Sequence, residues 1–184
     1  MKLLATIRDK DVLADYKNSG EIDYQPRFAS RAVVFDRENK VAVLYVGRYD
    51  YYKLPGGGQE ENETPEEALR RECQEEIACD IEITSELGRI IEYRDRFEMK
   101  QEAYGYICQV KGEKGVPLFT PEENQDNYSL EWVDFDQAIA LVKFPKLAGQ
   151  HDDQAPDGTY AAKFIIKRET IYLEEAKKLL DAKK

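Results

Sequence analysis

Histidine is nearly missing from this 184-residue chain, which has only His151. A zinc site built on histidines, or a serine–histidine–aspartate triad, therefore has almost no material. His151 sits in a polar stretch and reads as a solvated loop residue. Cysteine is scarce too. Cys73, Cys79 and Cys108 are odd in number and form no CxxC pair. That points to reduced, semi-buried thiols. No stretch approaches the roughly 18–20 apolar residues of a membrane span. The opening Met1–Arg8 is too short and too soon interrupted by charge for a signal peptide, so a cytoplasmic protein is expected. Positive charge is in deficit: 27 Lys and Arg stand against 37 Asp and Glu, a formal net charge of −10. Such a surface repels long polyanions, which argues against duplex nucleic acid while leaving small phosphorylated molecules open.

The apolar share, 42%, is enough for a core, and the length suits one domain, or one domain with an extension. No internal repeat stands out. Residues Arg31 to Asp36 and Lys40 to Val46 are β-branched runs around Arg37-Glu38-Asn39 and read as a hairpin. Tyr51 to Leu54 reads as a short strand stopped by Pro55. Thr64 to Ile77 is a helix: Thr64 is an N-cap, Pro65 takes the first helical position and Glu67 completes a capping box. Strand-like runs follow at Asp80 to Thr84, Gly88 to Tyr93, Ala103 to Val110 and Leu130 to Phe135. Asp136 caps a short helix running to about Val142. Phe144 to Thr159 is loop-like, and Ala161 to Ala182 has helical periodicity. Before Arg31, Leu3 to Ile7 suits a strand and Asp11 to Asp15 a turn or a second strand. The class is α+β or mixed α/β, with helices against a mixed sheet.

The chemistry concentrates in Leu54-Pro55-Gly56-Gly57-Gly58, then Glu63, then Arg71-Glu72-Cys73-Gln74-Glu75-Glu76. A glycine loop enters a well-capped helix. With Leu69 at zero and roughly 100° per residue, Cys73 and Ile77 form a core-facing stripe at roughly +40° and +80°. Glu76, Glu72 and Glu75 fall at roughly −20°, −60° and −120°, so three carboxylates share one arc beside that stripe. Like charges this close need neutralising, by protons, by arginine or by a hard divalent cation. Magnesium fits best, because it binds through a few carboxylates and bridges to substrate phosphates.

The spacing of Gly57, five residues, Glu63, seven residues, and Arg71-Glu72-Cys73-x-Glu75-Glu76 resembles the signature of the Nudix hydrolases. The resemblance in the signature covers Gly57 to Cys79, and fold-level likeness extends over about Arg31 to Val142. Ala78 stands where the family has a glycine that ends the helix, and Cys73 and Cys79 occupy aliphatic positions. The resemblance implies a Nudix-like fold, a mixed sheet sandwiched by helices, here with an added C-terminal helix. It implies one domain over residues 1–184, with 1–30 as an N-terminal extension and 160–184 packed on it as that helix. It implies a metal site at Glu72, Glu75 and Glu76 with the Gly56 carbonyl, holding magnesium, with manganese as second choice. Arg71 would orient a carboxylate and Glu63 would tie down the loop. The implied reaction is attack of a metal-activated water on a diphosphate bond of a nucleotide-like small molecule. The proton acceptor is Glu72 or a downstream loop glutamate, Glu122 or Glu123. Arg48, Tyr49, Tyr51 and Tyr52 precede the glycine loop, and of these Arg48 and Tyr52, with Gly57 and Gly58, are the substrate-contact candidates. The added helix caps the sheet or builds a homodimer contact. No membrane partner is expected. Two rivals remain: a Nudix-fold module that binds a nucleotide and regulates without hydrolysis, and a prenyl diphosphate isomerase, which would need a reactive pocket cysteine.

Overall fold

In a computed structural model, residues 1–17, 20–147 and 156–182 are described, with no side-chain description for 156–158. The described residues form seven strands and four helices. The strands are β1 (Leu3–Arg8), β2 (Gln25–Phe35), β3 (Val41–Val46), β4 (Tyr51–Lys53), β5 (Asp80–Arg94), β6 (Met99–Lys111) and β7 (Tyr128–Val133). The helices are α1 (Pro65–Ile77), α2 (Pro121–Gln125), α3 (Phe135–Lys143) and α4 (Pro156–Asp181). His151, and half of the expected loop before the last helix, lie outside the described residues. Where that segment resumes, α4 already begins at Pro156, earlier than the expected Ala161.

The sheet runs β1-β5-β6-β2-β3-β4, with β7 on the other edge of β3. It is mixed: β1 is parallel to β5, β2 is parallel to β6 and the other pairs are antiparallel. The expected β2–β3 hairpin closes at one pair only, Phe35 with Val41. Beyond it β3 turns away to lie between β4 and β7, while β2 stays in register with β6 from Gln25–Met99 to Phe35–Gln109. The edge of β2 that β3 abandons is the edge that receives the glycine loop. The two runs expected at Asp80 to Thr84 and Gly88 to Tyr93 are one strand. Register shifts between Ile83 and Ser85 and between Glu86 and Gly88 interrupt its alternation, which is why it reads as two.

Alternation along the strands sends side chains to opposite faces and so builds two cores. Ala32, Val34 and Leu44 pack with Tyr106 against Leu69, Cys73 and Ile77 of α1. Val33, Val43, Ile90 and Ile107 pack against Phe164 and Tyr172 of α4. Each large apolar side chain so buried contributes roughly 1.5–3 kcal/mol. The C-terminal helix therefore caps the sheet face opposite α1. Tyr172 donates to the Ala103 carbonyl at 2.6 Å, and its ring lies where a Cβ on Gly105 would stand. All three cysteines are free and buried, and burial pushes the Cys108 thiol up to about 12. No helix among the described residues is long and apolar enough to cross a membrane.

Helix α1 starts as its sequence dictates: the Thr64 side chain accepts from the Glu67 amide and Glu67 returns the bond to Thr64. It ends at Ala78 in the left-handed region, φ 50°, with the Cys79 amide reaching back to the Cys73 carbonyl. Alanine there costs roughly 1–2 kcal/mol that glycine would spare, yet the turn keeps its shape.

Candidate active site

Residues 55–59 run beside the exposed edge of β2 like an extra strand. Ala32 donates to the Pro55 carbonyl at 3.1 Å, Ser30 to the Gly57 carbonyl at 2.9 Å, and Gln59 to the Phe28 carbonyl at 3.0 Å. Two glycines are needed here. Gly56 has φ 125°, and a Cβ on it would strike the Ser30 carbonyl. A Cβ on Gly57 would occupy the place of the Glu72 carboxylate, so α1 presents an acid directly against the loop backbone.

The carboxylates of α1 are held by two cations. Arg71 bonds Glu63 at 2.8 and 3.0 Å, Glu72 at 2.9 Å, Glu75 at 3.4 Å and the Gly58 carbonyl at 2.9 Å. It thereby ties the loop to the helix. Glu63 also accepts from the Glu60 amide, and the Arg71 guanidinium, with that amide, holds its carboxyl down to about 2. Glu76 is only 1% exposed. Its oxygens accept from Lys53 Nζ and the Gly56 amide, both at 2.7 Å. Burial pushes the Glu76 carboxyl above its ordinary value and Glu72 adds to this, against Lys53 and the Gly56 amide. Burial opposes the charge on Lys53, but Glu76 and Tyr128 outweigh it and keep the ammonium protonated.

Among the described residues no three acid, histidine or cysteine side chains converge on one point. Arg71 draws Glu72 and Glu75 toward itself while Lys53 holds Glu76. Glu75 is the most open of the three, its side chain 43% exposed. At Gly56 the group that meets Glu76 is the amide N–H.

A cavity of about 370 Å³ opens beside this assembly. Glu72, Glu76, Gly56 and Gly57 line it from the α1 side, and Glu123, from the start of α2, joins them. Glu123 also closes the α2 capping box, its carboxylate accepting from the Thr120 amide at 2.9 Å. Of the other expected site residues, Gly58 lies just outside, next to the Arg27 guanidinium. Arg48 and Tyr52 do not line the cavity. Arg48 pairs with Asp126 at 3.2 Å, and Tyr52 donates to Glu131 at 3.0 Å while its ring meets Tyr45. Strand alternation explains this: on β4 it is Lys53 that turns inward, and its neighbour Tyr52 faces the other way. Arg27, Arg31, Arg94, Gln101 and Tyr128, none of them expected from the sequence, line the cavity as well. The available signal was charge at even spacing within apolar strands, as in Arg27 and Arg31, or Glu92 and Arg94.

The model of the NUDIX domain matches residues 25–157. The chain belongs to the Nudix family. It is a hydrolase of diphosphate bonds, and Nudix hydrolases generally need a divalent metal. Among its relatives is an RNA pyrophosphohydrolase of a Nitratiruptor species, 29% identical over 135 residues that span 67% of this Nudix chain and 86% of that protein. Another is an 8-oxo-dGTP diphosphatase of Proteus vulgaris, 38% identical over 64 residues, covering 33% of this chain and 57% of the relative. In fold it resembles an ADP-ribose pyrophosphatase from Streptococcus suis, with a TM-score of 0.50 and 16% identity over 83% of this chain and 92% of that one. It equally resembles a MutT NUDIX hydrolase from Burkholderia pseudomallei, with a TM-score of 0.50 and 22% identity over 77% and 98% of the two chains.

Proposed function

We propose that this Nudix hydrolase cleaves the diphosphate of a small nucleotide-like molecule, with Glu72, Glu75 and Glu76 holding divalent cations and Glu123 accepting the proton of the attacking water. The observation that carries the reading is the burial of the Glu76 carboxylate against the glycine loop, with Glu72 pressed to Gly57 where no Cβ fits. Carboxylates spaced along one helix beside a cavity suit hard cations, since oxygen donors are what magnesium and manganese take. When bound, such ions neutralise the diphosphate and lower the pKa of the attacking water.

The protein's own groups do the rest. Arg71 fixes Glu72 and Glu75 on one side and the loop on the other. Lys53 supplies Glu76 with a counter-charge. With Glu72 engaged by cations, Glu123 is the remaining cavity carboxylate able to take a proton.

The test is turnover of a panel of nucleoside diphosphate and triphosphate compounds with magnesium or manganese, read as phosphate released after a coupling enzyme. Glu76→Gln is expected to lose at least about a hundredfold in kcat, a few kcal/mol of transition-state stabilisation. Undiminished activity in that variant sinks the assignment. A chain that binds these compounds without turning them over would instead be a regulatory binding module.

A further inference from the structure

The cavity has a second wall that the diphosphate chemistry does not use. On the α4 side it is lined by Arg27 and Arg31 of β2, Arg94 of β5 and Gln101 of β6. Behind it sit the groups that hold these cations. Arg94 donates to Glu92 at 2.7 and 3.1 Å, Gln101 donates to Glu92 at 2.6 Å, and Arg31 donates to Glu169 at 3.2 Å. Arg168 of α4 bonds both Glu92, at 3.1 and 3.2 Å, and Glu169, at 2.6 Å. The arrangement is polarised: guanidinium groups line the cavity, and the carboxylates Glu92 and Glu169 lie fully buried behind them.

The charges do not balance. Three buried arginines, Arg31, Arg94 and Arg168, face two buried glutamates, Glu92 and Glu169. That leaves one positive charge over, and Arg27 at the exposed rim adds a second. Arg27 bonds Gln101, and among the described residues no carboxylate pairs with it. Burial pulls Arg94 below the usual arginine pKa, and Arg168 and Arg31 oppose the help it receives from Glu92. Buried charge without a matching counter-charge is expensive, and proteins retain it mainly where a ligand completes the set. A planar guanidinium fork matches the oxygens of a phosphoryl group.

We propose that Arg27, Arg31 and Arg94 form an anion subsite for a terminal phosphoryl group, so that the enzyme prefers a triphosphate chain to a diphosphate capped by a neutral sugar. The inference rests on the diphosphate-hydrolase reading above. The cavity supports it by size and lining. About 370 Å³ is near the lower end of ligand sites, roughly 300–1,000 Å³, which suits a phosphate chain rather than a whole nucleotide. The acids of α1 and the guanidinium wall then share one chain, cations on the acids at one part and arginines on the end group at another. Since the net charge of −10 disfavours a long polyanion, the triphosphate is that of a small molecule.

The experiment uses the full chain with magnesium, GTP and ADP-ribose, and a 5′-triphosphorylated oligonucleotide as a third arm that separates a free nucleotide from an RNA end. Wild type is expected to favour GTP in kcat/KM over both other substrates. In Arg27→Gln the KM for GTP is expected to rise about tenfold or more, the scale of one lost charged hydrogen bond, with kcat changing less. Arg27→Lys should recover part of the loss. Arg27 is exposed, so folding is not at stake. A second readout needs no turnover: in EDTA, inorganic phosphate should raise the Tm of wild type and not that of Arg27→Gln. An unchanged KM for GTP in Arg27→Gln, a wild-type preference for ADP-ribose or the oligonucleotide, or equal phosphate protection of both proteins overturns the proposal. A wild type inert to all three substrates would refute the hydrolase reading instead, and the phosphate measurement would still decide the subsite.

Discussion

The two walls of the cavity hold charge in different ways. On the α1 side the charged residues come from one stretch of loop and helix, Glu63 to Glu76, of which Glu72 and Glu76 line the cavity, and their main organiser, Arg71, is partly exposed, with a side-chain exposure of 25%. On the α4 side the members, from Arg27 to Glu169, come from four elements, and Glu92, Arg168 and Glu169 are completely buried. The first wall is a local device on a helix; the second exists only once β2, β5, β6 and α4 have met. Water reaches Arg71 and its partners but not the second wall, so the same kind of ion pair should matter mainly to chemistry around Arg71 and mainly to folding on the α4 side.

The sharpest way to break this contrast is to remove one member from each side. Arg168→Ala leaves Glu92 and Glu169 buried without their shared cation and is expected to cost about 3–5 kcal/mol in urea unfolding. Glu75→Ala should cost less than about 1 kcal/mol in the same assay while abolishing most activity. Equal stability losses would show that the two walls do not differ as argued. A smaller effect tests the seam between them. Lys53→Met strands the buried Glu76 carboxylate and should destabilise the protein by about 3 kcal/mol in EDTA, with much of the loss restored by magnesium. If magnesium raises the Tm of Lys53→Met no more than that of wild type, Glu76 is not a metal ligand.

The smallest expected effect is the pH dependence of the partly exposed Arg71–Glu63 pair. Arg71 holds Glu63 near 2 against an ordinary 4.5, so its stabilising contribution is complete above about 4.5 and fades as the pH falls toward 2. Unfolding midpoints at pH 6 and pH 3 should therefore differ more for wild type than for Glu63→Gln. An equal drop in the two would deny the pair any role in stability.

The same contrast explains what the sequence made legible. Helix α1, its Thr64 cap, its Pro65 start and the arc of Glu72, Glu75 and Glu76 are readable because their relations are fixed by chain spacing and helical pitch. Strand alternation and apolar runs gave most of the sheet. Long-range assembly is another matter. Glu92 and Arg94 look like ordinary surface charges of a strand until Arg168 arrives from α4. Nothing local says that β3 leaves β2 after a single pair, or that Lys53 rather than Tyr52 turns inward. Arg48 reads as a substrate contact because it precedes the loop, but Asp126, far along the chain, takes it.

The stitching of residues 55–59 to β2 has a consequence for geometry. Ser30 and Ala32 grip the loop through their amides, and Phe28 does so through its carbonyl. Arg27 and Arg31 of the same strand face the cavity. The acids pressed on that loop and the guanidinium groups beside it are thus referenced to one rigid ladder rather than to a hinge. The span between the acids and the guanidinium groups is therefore set by β-sheet spacing.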